Sequence, residues 1–218
     1  MNLHLYMHPL SSFCHKVLIA LYENGTPFEP HIVRLDDEAS REDFRKVWPI
    51  LRFPVLRDEM RDRTVPESSI IIEYLELHYP GPAALLPIGA QAALNVRERD
   101  RFFDLYLHVP TQKIITDRMR PEGSHDTLGV EQARAQLRTA YALLEQEMQE
   151  RTWATGDTFT MADCAAAPPL FYSAWAEPVD DFPHVAAYRQ RLMERPSFAR
   201  ALREAEPYLQ FVPKAQVA

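Results

Sequence analysis

The sequence has few of the residues and patterns that mark several large classes of protein. It contains only two cysteines, Cys14 and Cys164, which lie far apart in the chain. A disulfide framework and a zinc site made of cysteine pairs are therefore disfavoured, and two reduced thiols are expected. No stretch approaches the roughly 20 consecutive apolar residues that a membrane-spanning helix needs. Residues 1–6 lack the basic start and apolar run of a signal peptide, so we expect a cytoplasmic protein without a membrane partner.

Basic residues are not concentrated anywhere in the sequence. The formal net charge is −7. A nucleic-acid backbone repels such a chain unless its lysines and arginines cluster, so no nucleic-acid partner is expected. The nearest approach to a basic cluster is a segment in which acidic residues separate the arginines: Arg97, Glu98, Arg99, Asp100, Arg101 and Asp104. This alternation predicts a solvated helix face.

Strand-like and helical patterns alternate over the first 80 residues. The predicted strands lie at 3–7, 28–35, 54–56 and 64–65, and the predicted helices at 14–23, 38–47 and 67–79. The order is therefore β-α-β-α-β-β-α. A strand-helix-strand unit followed by a hairpin and a helix predicts a small mixed sheet with helices packed on it.

The composition changes at residues 80–87, which are rich in proline and alanine and are the best candidate for a linker. We predict a first domain over 1–80, a linker over 81–90 and an all-helical domain over 91–218. Within the second domain, helical patterns cover 91–119, 128–148, 160–175, 183–194 and 197–204. Pro110 should kink the first of these helices, because proline removes one backbone hydrogen bond.

Two serines stand where the first strand is followed by the first helix, in the segment Ser11-Ser12-Phe13-Cys14. A hydroxyl there lies beside the unpaired N–H groups and the positive end of the helix dipole, where it can stabilise a thiolate. Serine is also a favoured helix cap, and capping alone is the simpler interpretation. Ser11 takes the place of the first cysteine of a C-x-x-C motif. Disulfide reductase chemistry is therefore disfavoured, and Cys14 is predicted to be buried and unreactive.

A second candidate site is the dipeptide Phe53-Pro54 at the start of the third strand. Proline is acceptable at the start of a strand. If the peptide bond were cis, the N–H and C=O groups of Phe53 would turn outward and could pair with an extended peptide ligand. Because only about one X–Pro bond in twenty is cis in folded proteins, an ordinary trans bond is the simpler interpretation.

A third candidate site is the start of the last helix of the first domain, at Pro66-Glu67-Ser68. Ser68 is predicted to cap this helix, whose N-terminus can bind a carboxylate. The Glu67 carboxylate can accept hydrogen bonds from an ammonium group. Together these groups match the two ends of an amino acid, although a plain serine cap beside a favourable acidic residue is an equal alternative.

Taken together, these features resemble the cytosolic glutathione transferase family, in particular its serine-type, theta- and zeta-like bacterial members. The element order and the three candidate sites are similar to its thioredoxin-like N-terminal domain. The segment Gly156–Asp163 resembles the motif that opens a core helix in the helical C-terminal domain, and Thr160 and Asp163 have the spacing of a capping box. The resemblance implies a fold of α/β plus all-α type, with a thioredoxin-like domain followed by a helical bundle.

The resemblance also implies a role for each candidate residue. Ser11, with Ser12 as the alternative, would activate the thiol of glutathione. The other glutathione-binding residues would be Arg52, Phe53, Pro54, Glu67 and Ser68. A small hydrophobic electrophile would bind between the domains, against Leu10, Tyr106, Val109, Met119 and Tyr172. No metal is expected, and the chains of this family usually form homodimers.

The expected activity is that of a glutathione S-transferase, and two alternatives stay open. The first is a glutathione-dependent isomerase, similar to maleylacetoacetate isomerase, or a dehalogenase. Phe13 weakens the isomerase alternative, because zeta-class isomerases carry cysteine at this place. The second is a non-catalytic binding or regulatory protein on the same scaffold, since fold does not determine function.

Overall fold

The computed structural model describes residues 2–212, and its first half contains the predicted order of strands and helices. The elements are β1 (Leu3–Met7), α1 (Ser12–Glu23), β2 (Glu29–Ile32), α2 (Glu38–Val47), β3 (Val55–Asp58), β4 (Arg63–Pro66) and α3 (Ser68–His78). The β-α-β-α-β-β-α prediction is confirmed. The predicted second strand was too long, because only Glu29–Ile32 pairs with β1.

The four strands form one mixed sheet in the order β2-β1-β3-β4. β1 runs parallel to β2 and antiparallel to β3, which pairs antiparallel with β4. Alternate residues of β1 from Leu3 to Met7 are buried in the main core, where α1 and α3 also pack. His4 and Tyr6 lie on the other face, where Tyr6 stacks on Phe44 of α2. This two-sided covering is that of a thioredoxin-like domain.

The second half is helical. It contains α4 (Ala90–Phe102), a π-helical turn (Phe103–His108), α5 (Val109–Asp117), α6 (Thr127–Glu147), α7 (Met161–Tyr172), α8 (Pro183–Glu194) and α9 (Pro196–Ala205), with 3-10 turns at Ser173–Trp175 and Glu206–Phe211. α1 packs against both α7 and α9, so one apolar core joins the sheet to the helices. None of the helices within residues 2–212 is long and apolar enough to cross a membrane.

The long helix predicted over 91–119 is interrupted where Pro110 predicts an interruption, and the interruption is a π-helical turn. The N–H of Val109 donates to the carbonyl of Asp104, five residues earlier. Pro110 follows at the start of α5, where its missing N–H costs nothing. π-helical turns often occur at functional sites, and this one faces α1 and α7.

The predicted capping box opens α7, and its acid also joins three segments of the helical half. Asp163 accepts hydrogen bonds from the N–H groups of Thr160 and Ala154, at 2.8 Å each. The Tyr188 hydroxyl on α8 donates to the same carboxylate at 2.6 Å. Burial raises the pKa of Asp163, and these donors oppose that shift. The capping-box prediction is confirmed, and the role of the motif is structural.

The charged segment at 97–104 was predicted to be a solvated face, and for its acidic residues Asp100 and Asp104 that prediction is wrong. Both are buried, because Lys16 of α1 is buried beside them and needs negative partners. The Lys16 Nζ atom lies 2.6 Å from Asp100 and 2.9 Å from Asp104. It also donates to the Ser69 hydroxyl at 2.8 Å. We call these four residues the Lys16 cluster; it connects α1 and α3 to the helical half.

Candidate functional site

The register of the sheet gathers the three predicted site segments at one edge. Tyr6 pairs with Val55, and Val55 pairs with Pro66. The end of β1, the start of β3 and the end of β4 therefore lie side by side. The turn after β1 meets the segment before β3, where the rings of His8 and Phe53 stack with their centroids 6.0 Å apart. The sites were separate in sequence and are contiguous in the fold.

Ser11 is the N-cap of α1. Its Oγ atom accepts a hydrogen bond from the N–H of Cys14 at 3.3 Å. A hydroxyl that accepts through its oxygen still has its own proton to donate, so capping and thiolate binding are compatible roles for Ser11. Ser12 is the first residue of the helix itself. Sequence reasoning treated capping and function as alternatives, whereas the geometry allows both.

The turn that carries Ser11 is held by two buried side chains that sequence reasoning missed. His15 Nε2 lies 2.6 Å from the carbonyl of Pro9. Burial lowers the pKa of His15 to about 4, so the ring is neutral near pH 7 and donates its Nε2 proton to that carbonyl. The Tyr172 hydroxyl donates to the carbonyl of Leu10 at 3.0 Å. Neither contact has a local sequence signal, since it depends on how α1 and α7 pack.

Glu67 occupies the start of α3 in an unusual conformation. Its φ is +70° and its ψ is 118°, and its side chain makes no capping hydrogen bond. A left-handed backbone at a residue other than glycine costs about 1–3 kcal/mol and is concentrated at functional sites. The expectation that Ser68 caps the helix is wrong, because Glu67 takes the cap position and Ser68 is the first, buried helical residue. The exposed Glu67 carboxylate thus lies beside first-turn N–H groups that no side chain caps.

The segment before β3 completes the same edge. The peptide bond between Phe53 and Pro54 is cis, which is the case that the sequence reasoning left open for a backbone able to meet a ligand. Pro54 is buried, Phe53 is half-buried and Arg52 is exposed. The position of Arg52 leaves its guanidinium accessible from solvent next to this edge.

Ser12 and Phe13 face the helical half across a narrow crevice. The crevice is lined by Ser12, Phe13, Lys16, Asp104, His108, Ala165, Pro168 and Pro169. The rings of Phe13 and His108 meet edge to face with their centroids 4.0 Å apart. Burial and the nearby Lys16 charge lower the pKa of His108 to about 4, so this ring is also neutral near pH 7. The crevice is thus mainly apolar with a neutral imidazole in its wall.

The five residues predicted to line an electrophile pocket have different environments. Tyr106, Val109 and Met119 are exposed. Leu10 is half-buried, and Tyr172 is buried behind it. In the described part of the chain, the crevice beside Ser12 is bordered by other residues. Among these, Lys16 and His108 carried weak signals: a lysine on an apolar helix, and a histidine just before the helix-breaking Pro110.

The thiol of Cys14 lies directly behind the Ser11 turn and is fully buried, as predicted. Burial raises its pKa to about 12. Burial also raises the pKa of Cys164. Since the thiolate is the reactive form of cysteine, neither thiol is suited to nucleophilic chemistry in the folded protein.

We therefore expect the folded protein to be inert towards a chromogenic disulfide reagent at mildly alkaline pH, and both thiols to react after unfolding in denaturant. Free glutathione measured alongside provides the rate of an unhindered thiol. Rapid release of one equivalent of chromophore from the folded protein would contradict the burial of these cysteines.

Comparisons with known proteins agree with the fold and with this edge of the sheet. Residues 5–83 match the family model described as the glutathione S-transferase N-terminal domain, and residues 106–196 match that of the glutathione S-transferase C-terminal domain. A glutathione S-transferase from Methylobacterium radiotolerans, solved in complex with glutathione sulfonate, superposes with a TM-score of 0.79 at 28% identity. That alignment covers 100% of this chain and 98% of the other.

Two relatives of known sequence have other names. The stringent starvation protein A homolog of Coxiella burnetii is 32% identical, and the alignment covers 95% of each chain. The maleylpyruvate isomerase of a Ralstonia species is 29% identical over 94% of this chain and 98% of its own. The chain belongs to the glutathione S-transferase family. Within that family, its relatives include proteins named for different activities.

Proposed function

We propose that this protein binds glutathione and activates its thiol for attack on a small hydrophobic electrophile. The observation that carries the proposal is the register of the sheet, which gathers Ser11, Phe53 and Glu67 at one edge. The Methylobacterium radiotolerans relative, solved with glutathione sulfonate, supports the same ligand class. The cytoplasmic location and the homodimer implied by the resemblance belong to this proposal, as do the domain limits at 80 and 91.

Each part of glutathione has a complementary group at this edge. The γ-glutamyl ammonium binds the Glu67 carboxylate, and the γ-glutamyl carboxylate accepts hydrogen bonds from the N–H groups of Ser68 and the rest of the first turn of α3. The backbone of Phe53 pairs with the cysteinyl residue. Arg52 is close enough in the chain to meet the carboxylate at the glycyl end.

The thiol then lies at the start of α1. A free thiol has a pKa near 8.5, so only a small fraction is ionised at neutral pH. The Ser11 hydroxyl donates a hydrogen bond to the sulfur, and the positive end of α1 stabilises its charge, which lowers the thiol pKa. The thiol proton leaves to solvent. The sulfur electron pair forms the bond to the electrophilic carbon, and the Phe13–His108 crevice is the proposed entry point for that substrate.

The alternatives are distinguished by their second step or by the lack of one. A glutathione-dependent isomerase shares the first site, and the maleylpyruvate isomerase relative supports this possibility. A non-catalytic binding protein is supported by the relatives named stringent starvation protein A, a name that states no reaction. The Ser11 hydroxyl, positioned with a proton free to donate, favours a thiol-activating enzyme over that second alternative.

Replacing Glu67 with glutamine tests the glutathione site. Glu67→Gln keeps the size of the side chain and the strained backbone but removes the charge that pairs with the ammonium group. A hydrogen bond to a charged group contributes about 1.5–3 kcal/mol, so we expect calorimetric titration with reduced glutathione to show an affinity at least about tenfold lower.

The matched control is Glu42→Gln, at an exposed glutamate of α2 whose partner is Arg45 on the same helix. Its affinity for glutathione should equal that of the unchanged protein. Equal affinities in all three proteins would remove Glu67 from the site. No saturable binding in the unchanged protein, even at millimolar glutathione, would favour the non-catalytic alternative.

A further inference from the structure

The face of the sheet that carries Tyr6 also holds a cluster of two histidines and a glutamate, away from the glutathione edge. His4 on β1 pairs directly with Glu29 on β2, and Tyr6 pairs with His31. Because side chains alternate between faces along a strand, His4, Glu29 and His31 all project from the same face. The parallel pairing of β1 with β2 therefore brings together residues that are far apart in sequence.

The three side chains form a triangle of nitrogen and oxygen atoms. His4 Nδ1 lies 2.9 Å from His31 Nε2. The Glu29 carboxylate lies 3.6 Å from that His4 atom and 3.8 Å from that His31 atom. Ligands bound tetrahedrally to zinc at 2.0–2.2 Å are separated from each other by about 3.3 Å. The three observed separations lie on either side of this value, so small side-chain rotations suffice to chelate an ion.

Neighbouring residues orient both imidazoles as metal ligands are usually oriented. The Tyr6 ring stacks on His31, with centroids 4.8 Å apart and planes inclined by 18°. The other nitrogen of His4, Nε2, is buried without a hydrogen bond and lies 3.4 Å from the Glu59 carboxylate. Histidine ligands commonly donate their second N–H to a carboxylate, which fixes the tautomer and makes the ligating nitrogen more basic. Glu59 is placed for that role.

The cluster is also accessible. The side chains of His31 and Glu29 are 37% and 52% exposed, whereas that of His4 is 16% exposed. An ion can therefore reach the triangle from solvent and keep water as its fourth ligand. Two imidazoles with one carboxylate suit zinc and its neighbours in the transition series, and they do not suit magnesium or calcium, which prefer oxygen ligands.

We propose that His4, Glu29 and His31 bind one divalent transition-metal ion of the zinc type, with Glu59 as a positioning residue for His4. The ion ties the edge strand β2 to β1. This departs from the expectation of no metal, which followed from the lack of cysteine pairs and from the family resemblance. The site does not rest on the proposed glutathione chemistry.

The test uses the full chain without an affinity tag, titrated with Zn²⁺ by calorimetry and with Co²⁺ by visible absorption. We expect one ion per chain and the intense absorption of tetrahedral Co²⁺. In His31→Ala the affinity should fall by at least about a hundredfold, since a ligand is lost, and in Glu59→Gln by about tenfold. Zn²⁺ should raise the melting temperature of the unchanged protein but not that of His31→Ala.

His184→Ala is the matched control, because His184 also lies beside a glutamate, Glu145 at 3.9 Å, but without a second histidine. Its affinity and Co²⁺ spectrum should be unchanged. Circular dichroism verifies that each variant is folded, and the position of His31 on an edge strand makes its replacement mild. No saturable binding by the unchanged protein, or equal affinity in His31→Ala, would overturn the proposal.

Discussion

Replacing Lys16 with methionine should lower the free energy of unfolding by about 3–5 kcal/mol, the loss typical of breaking a buried ion pair. The side chain of Lys16 is 1% exposed, and those of Asp100 and Asp104 are 2% and 7% exposed. Methionine fills the same space but leaves two carboxylates close together without a counter-charge. The hydroxyl of Ser69 also loses its ammonium donor.

The pH dependence of this loss follows from the acidic partners. Burial raises the pKa of Asp104, while Lys16 opposes the rise, so removing Lys16 raises that pKa further. An acid whose pKa is higher in the folded than in the unfolded state binds more protons when folded. Its folded form therefore gains stability as the pH falls towards the unfolded value near 4. The deficit of Lys16→Met should shrink between about pH 7 and about pH 5.

Urea unfolding followed by circular dichroism measures both effects. Lys46→Met is the control, since Lys46 forms only an exposed pair with Asp43 and its removal should change nothing measurable. Adding Asp100→Asn and Asp104→Asn to Lys16→Met should restore much of the stability, because the unpaired charges are then gone. A loss in Lys16→Met no larger than in Lys46→Met would contradict the buried cluster.

Much of the fold could be predicted from the sequence because its signals are local. The alternation of residues 3–7, the helix start at Ser11 and the capping box at Thr160 each depend on neighbours within a few positions. The 3-10 turn at Glu206–Phe211 was not predicted, since it has no such pattern. It nevertheless brings Tyr208 to within 5.9 Å of the His8 ring, between ring centroids.

The candidate site was predictable only in its parts. The residues at its three segments could be named, but their meeting depends on which strands pair and in what register. Lys16 shows the limit most clearly: Asp100 and Asp104 look like a solvated face until α1 is packed against them. The His4–His31 pair shows it again, because nothing within either strand indicates the other.

Replacing Ser11 with alanine should reduce glutathione conjugation by about a hundredfold or more, the usual effect of removing one donor to a developing negative charge. The variant should still fold, because losing an N-cap costs about 1 kcal/mol. Affinity for reduced glutathione should change little, since Glu67 and the backbone of Phe53 are untouched. Ser12→Ala, at the adjacent hydroxyl, should keep its rate.

Ser11→Asp separates the two roles of this residue. Aspartate caps helices as well as serine does, so it can accept the N–H of Cys14 and preserve stability. It has no proton to donate near neutral pH, and it adds a negative charge beside the sulfur. We expect a stable variant without conjugation activity. Activity in Ser11→Asp equal to that of the unchanged protein would show that capping alone is what Ser11 provides.

The measurement that tests the central claim most directly is the ultraviolet thiolate absorbance of bound glutathione at neutral pH. With saturating glutathione, the unchanged protein and Ser12→Ala should show a thiolate band, which Ser11→Ala and Ser11→Asp should lack. A titration of this band against pH should give a thiol pKa below the value near 8.5 of a free thiol. Bound glutathione without a thiolate band, or an equal band in Ser11→Ala, would contradict the claim that Ser11 activates the thiol.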